Sequence, residues 1–112
     1  MVIKKVESIP KIAIVEEGVK GVVKQVLLGP DDGVPNFIMR QFTVEPDGYT
    51  FYHTHDFEHE IYVVSGNGIA RSDRKETHFS KETAILVKPN EVHQFVNNGT
   101  EPLVFLCLIP KM

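Results

Sequence analysis

Runs of β-branched and aromatic residues recur along the whole chain, and glycine, proline, asparagine or aspartate breaks them every few positions. Such runs predict strands, here over residues 2–7, 12–15, 18–28, 36–44, 50–53, 60–65, 68–73, 77–79, 84–87, 93–97 and 103–109. Gly29-Pro30-Asp31-Asp32-Gly33 and Glu45-Pro46-Asp47-Gly48 have the composition of turns. No stretch sustains a helical period. Short strands at regular spacing, separated by turn signals, predict an all-β sandwich or barrel. In the last run Phe105, Cys107 and Ile109 share one face and Val104, Leu106 and Leu108 the other. Both faces are apolar, so alternation cannot orient this strand.

Composition narrows the picture. A chain of 112 residues is expected to form one domain, residues 1–112. A chain of that size buries about 60–65% of its unfolded surface, enough for one core without staples. Lys and Arg number 12 against 15 Asp and Glu, a net charge of −3, and no basic patch points to a nucleic acid partner. The single cysteine excludes an internal disulfide framework and fits a reducing compartment. The first 18 residues lack the apolar core of a secretion signal, and no run approaches the length that crosses a membrane. The expectation is a soluble cytoplasmic protein with no membrane partner.

The candidate chemistry lies in residues 48–68, GYTFYHTHDFEHEIYVVSGNG, with His93 in PNEVHQFVNN further on. His53 and His55 are two apart in a strand-like segment, so their imidazoles share a face. By itself the pair reads more readily as surface histidines at a strand end than as metal ligands. His59 and Glu60 are neighbours on the next strand and point to opposite faces, so only one of them joins the pair. His78, in KETHFSKE, lies among charges and reads as a surface histidine. Arg40 reads either as a solvated charge or as an inward group for an anion or a water. Cys107 reads as a small buried hydrophobe, or as an oxidation target if a redox metal is adjacent. Tyr49, Phe51 and Tyr52 read as packing and pocket rim.

These residues resemble the first cupin motif, G-x5-H-x-H-x3,4-E-x6-G. His53-Thr54-His55 supplies the paired histidines. Six residues separate Gly66 from His59, which stands three residues beyond His55, so His59 takes the slot where most cupins carry glutamate. Glu60 fits only the four-residue gap. Pro89 and His93-Gln94-Phe95-Val96-Asn97 are similar to the second motif, G-x5-P-x-G-x2-H-x3-N. The loop before His93 is one residue short, Thr83 replaces the first glycine of that motif, Asn90-Glu91 its second, and Gly48 stands one position off in the first motif. These departures concern turns more than ligands. HTHDFEHE, PNEVHQF and FLCLIPK look like the small single-domain cupins that bind manganese through four histidines.

The resemblance implies a double-stranded β-helix, or jelly-roll barrel, with metal ligands His53, His55, His59 and His93 and a homodimer paired through leading strands. Nitrogen donors do not choose the ion, so manganese is the family's expectation and iron, nickel, copper and zinc remain open. Arg40, Phe42, Phe105, Cys107 and Ile109 are expected to shape the pocket. The function implied is oxygenase or dioxygenase-type redox chemistry on a small apolar or aromatic molecule. A non-enzymatic metal- or ligand-binding cupin is the alternative. A sugar-phosphate isomerase needs several basic pocket residues, and only Arg40 qualifies.

Overall fold

The computed structural model describes residues 1–112. Nine strands follow one another: β1 (Ile12–Ala13), β2 (Lys20–Leu28), β3 (Phe37–Tyr49), β4 (His59–Ser65), β5 (Asn67–Ser72), β6 (Lys75–Ser80), β7 (Ala84–Val87), β8 (Gln94–Val96) and β9 (Leu103–Pro110). Single 3-10 turns occur at Val6–Ser8 and Pro30–Asp32. Every pairing is antiparallel, and the sheet, in the order β6-β5-β8-β3-β9-β4-β7 with β2 and β1 added beside β3, curls into a barrel. Two-residue links are compatible with such antiparallel neighbours. The β5–β6 hairpin has one, with Asp73 and Arg74 both at positive φ (29° and 69°).

The barrel turns on β3. One edge pairs with β2 from Lys20↔Tyr49 to Leu28↔Met39. The other pairs with β9 from Phe37↔Pro110 to Val44↔Leu103, then with β8 at Tyr49↔Val96. The predicted turn at residues 45–48 is therefore a bend within one long strand. Asp47 adopts φ 67°, and the β2 register shifts opposite the bend. Gly48 O and Asp47 N still bond to Asn97, at 3.0 and 3.3 Å. A proline-containing corner thus changes the strand's direction and its partner without ending it.

The register also orients β9. Leu103, Phe105 and Cys107 face inward and join Val22, Val44, Ile61, Val63, Val87 and Phe95 in one buried core, while Val104, Leu106 and Leu108 face outward and are half-buried. Phe105 stacks on Phe42 at 5.5 Å between ring centroids and meets Phe95 at the same distance. Such aromatic contacts contribute beyond their buried area.

Two expected strands are absent. Residues 2–7 run irregularly into the Val6–Ser8 turn and join no strand. Their anchor is a side chain instead: buried Gln25 donates from Nε2 to the carbonyls of Val6 and Ile9, both at 3.0 Å. Residues 50–53 contribute only an isolated bridge, His53 to His93. The strand expected over 12–15 shortens to Ile12–Ala13.

Asn97 closes the motif's second half. It is 1% exposed, donates from Nδ2 to Val44 O (2.8 Å) and Glu101 O (2.9 Å), and accepts Gly99 N at Oδ1 (2.9 Å). Gly66 closes the first half at φ 90°, where an added Cβ would lie 2.6 Å from Pro102 O and 2.8 Å from Leu103 Cα. Both contacts are with backbone and cannot swing aside. Asn97→Ala leaves three backbone groups without partners and is expected to cost about 2–4 kcal/mol. Gly66→Ala combines strain with a backbone clash and is expected to cost at least about 2 kcal/mol. Urea unfolding checks both; an unchanged midpoint in either variant contradicts these roles.

Candidate metal centre

Two backbone hydrogen bonds build the centre. His53 N donates to His93 O (3.2 Å) and His93 N to His53 O (3.0 Å), which sets the two segments face to face. Asn90 N donates to His55 O (2.7 Å) and holds the turn before His93 against the same loop. His53 and His55 thus converge from a bridge and a loop, not from one continuous strand. The donor atoms of His53, His55 and His93 all lie within 4.8 Å of one another. The ring of His55 lies flat on Phe57, 3.9 Å away at 8°.

The outer nitrogens of two of these rings are already committed. His55 Nδ1 meets Phe57 O, and His93 Nδ1 meets Glu91 O, each at 2.8 Å. A carbonyl only accepts, so both Nδ1 atoms carry the proton and both Nε2 atoms keep a free lone pair. This is the tautomer a metal ligand needs.

His59 opens β4 and shares its inward face with Ile61 and Val63, whereas Glu60 points outward and is exposed. His59 Nε2 stands 2.5 Å from His55 Nε2, so it flanks the group of three. Its Nδ1 lies 2.7 Å from Cys107 Sγ, and Arg40 Nη2 donates to the same sulfur at 3.0 Å. With Nδ1–H donated to the sulfur, Nε2 is left free to bind an ion. Arg40 Nη2 is 3.5 Å from His59 Nδ1, at the limit of hydrogen bonding, and the guanidinium carbon lies 4.9 Å from the centre of the Phe42 ring.

The surroundings of His53, His59 and His93 favour the neutral ring. Burial pushes His59 down to about 3, helped by the neighbouring His55 and the Arg40 cation. Burial is also the main cause that lowers His53 and His93, and nearby histidines add to it. Burial raises the Cys107 thiol, and Arg40 opposes this. Neutral imidazoles with inward lone pairs fit a divalent ion. The donor set therefore fits a metal, although it does not choose one.

A cavity of about 580 Å³ reaches these rings, within the range of small-molecule sites. Twelve of its nineteen lining residues are hydrophobic, so an apolar guest loses little by entering. Arg40, Phe42, Phe105, Cys107, His53, His59 and His93 line it. Ile109 does not: it lies two residues past Cys107 and packs against the core, beyond the cavity. The sequence reading missed the wall formed by residues 12–16, together with Val19, Val22 and Phe95. Nothing in so short an apolar segment marks it as a pocket wall. His78 stands apart on β6, exposed and 3.4 Å from Asn98.

Residues 40–109, more than half of the chain, match the family model for the cupin domain. The protein belongs to the cupin family. No curated protein matches its sequence. Among solved structures, it is similar to the polyketide cyclase RemF from Streptomyces resistomycificus (28% identity, TM-score 0.92, covering 98% of this chain and 79% of that one). A predicted oxalate decarboxylase from Thermotoga maritima superposes with TM-score 0.87 at 23% identity, covering 99% of this chain and 100% of the other. A cupin-superfamily sugar phosphate isomerase from Silicibacter pomeroyi superposes with TM-score 0.83 at 20% identity, covering 96% and 74%. The last two likenesses concern fold. No helix of the protein is long and apolar enough to cross a membrane.

The depressed histidines predict a pH dependence for the metal-free protein. An unfolded histidine takes up a proton as pH falls below about 6.5, while native His59 resists protonation until about 3. The unfolded state binds more protons throughout that window, so stability is full above it and is lost as pH falls through it. The urea midpoint of metal-free protein is expected to drop between pH 7 and pH 5, and to drop less in His59→Gln. A midpoint flat with pH contradicts the burial of neutral rings.

Proposed function

We propose that this cupin is a metal-dependent enzyme of the oxygenase type. It holds one divalent ion, manganese or iron, on His53, His55, His59 and His93, and it acts on a small apolar or aromatic molecule. The observation that carries this reading is the convergence of imidazole donors beside a largely apolar cavity. A redox-active ion held by neutral ligands keeps its full positive charge and supplies the capacity to activate dioxygen or peroxide.

The chain's own residues do the rest. The carbonyls of Phe57 and Glu91 fix the rings of His55 and His93 so that Nε2 faces inward. Cys107 Sγ meets the outer nitrogen of His59 and holds that ring in place. Phe42, Phe95 and Phe105 form an apolar wall that keeps water away from a bound guest. No carboxylate lines the cavity except Glu16, which is exposed. The reading therefore assigns no side chain as a second acid or base.

Elemental analysis tests the site. Protein reconstituted with manganese or iron is expected to carry about one ion per chain. His93→Ala and His59→Ala are expected to lose it or to weaken binding at least about tenfold, and Glu60→Ala is expected to keep it. Substrate-dependent oxygen uptake tests the reaction. No metal under any condition, or loss of metal in Glu60→Ala alone, contradicts the reading.

A second reading rests on the 28% identity to a polyketide cyclase over nearly the whole chain. In that reading an ion held by the same histidines would polarise a carbonyl, and no oxidant would be consumed. Turnover without oxygen uptake favours it. Stable metal binding with no turnover favours a binding protein.

A further inference from the structure

Arg40 stands out against the rest of the molecule. Its Nε is the one buried side-chain nitrogen or oxygen without a hydrogen-bond partner. Its Nη2 reaches only the soft acceptor Cys107 Sγ and the edge of His59. Its Nη1 makes no bond within the protein and is not buried. No carboxylate pairs with it; the two ion pairs of the protein are Lys4–Asp32 and Arg71–Glu76. The other ionisable groups on the cavity wall, apart from the neutral histidines and Cys107, are Glu16 and Lys24, and neither bonds to Arg40.

A guanidinium lodged in a mainly apolar cavity is costly unless an anion meets it. Arginine's forked donors match a carboxylate in particular. The side chain is also held in place, by its hydrogen bond to Cys107 and by its position over the Phe42 ring, so little freedom is lost when an anion docks. Around it the cavity offers Phe42, Phe105, Phe95 and Ile61, which suit a flat apolar body.

We infer that the cavity takes an aromatic or otherwise apolar carboxylate. Its carboxylate is gripped by the free donors of Arg40, and its ring lies against Phe42 and Phe105. This names the substrate class of the proposed enzyme, and it rests on that reading in taking the cavity as the substrate site. It also separates this pocket from one for phosphosugars, whose many hydroxyls would find few partners on these walls.

The test is isothermal titration with two matched probes, 2-naphthoate and its uncharged isostere 2-naphthamide. The proteins are the wild type, Arg40→Gln and Arg40→Lys, each metal-free and manganese-loaded, with circular dichroism melting as the control for folding. Metal-free wild type is expected to prefer the carboxylate roughly 10- to 100-fold, the worth of a charged hydrogen-bond pair. Arg40→Gln is expected to abolish that preference and leave naphthamide affinity within about twofold. Arg40→Lys keeps the charge without the fork and is expected to retain part of the preference.

Equal binding of the two probes by wild type, binding of neither, or a preference that survives in a folded Arg40→Gln overturns the inference. If Arg40→Gln fails to fold, the wild-type pair and Arg40→Lys still decide it. A carboxylate preference in protein that never takes up metal upholds the inference and removes the metal enzyme. Metal uptake without the preference does the reverse.

Discussion

The mutual backbone hydrogen bonds of His53 and His93 are the constraint on which the centre depends. The two residues are forty positions apart, and neither lies in a strand that would align it alone. Each bond is ordinary in strength. Their effect is geometric, because residues facing each other across an antiparallel bridge lie side by side, and both imidazoles then leave the backbone toward the same space. The loop carrying His55 and the start of β4 carrying His59 follow directly from that anchor. Further out, Asn97 and Thr50 tie the same two segments together through Gly48 and Phe95. The barrel wall is thus closed by pairings that also assemble the donors.

Burial does the remaining work on these rings. A histidine in water is divided between charged and neutral forms near neutrality. Inside the barrel the charged form is penalised by lost hydration and by the other rings. Arg40 adds to the penalty at His59. The same cation keeps the Cys107 thiol from rising as far as burial alone would take it. Arg40, Cys107 and His59 form one polar group within apolar surroundings, and each alters the proton affinity or hydrogen-bonding state of the next.

Much of this was legible in the sequence. The all-β architecture followed from strand-forming runs and turn residues, and the likeness to cupin motifs gave the particular barrel. The placement of His59 inward and Glu60 outward is where the spacing to Gly66 put them. Other features depend on partners far away in sequence. Alternation along β9 could not say which face is inside, since both are apolar; pairing with β3 and β4 settles it. Glu45-Pro46-Asp47-Gly48 read as a turn between strands, yet neighbours on both edges carry the strand through. The first residues looked like a strand because local pattern cannot reveal that a side chain, Gln25, holds their carbonyls. Ile109 has the parity of Phe105 and Cys107 but lies past the end of the cavity, and parity says nothing about depth.

The cavity's two sides are unequal in construction. On one side β3, β4 and β9 are knit together along most of their lengths, and Arg40, Ile61 and Cys107 sit on that fabric. On the other, residues 12–16 are attached through the two paired residues of β1 and the bond from Ile14 N to Val22 O, with Ile12 and Val15 largely exposed. Stiffness therefore resides where polar groups must be held in register, and compliance resides where only apolar bulk must be covered. If Arg40 holds a guest as inferred, the guest's orientation is set on the knit side, and differences in its girth fall to the sparsely attached residues 12–16.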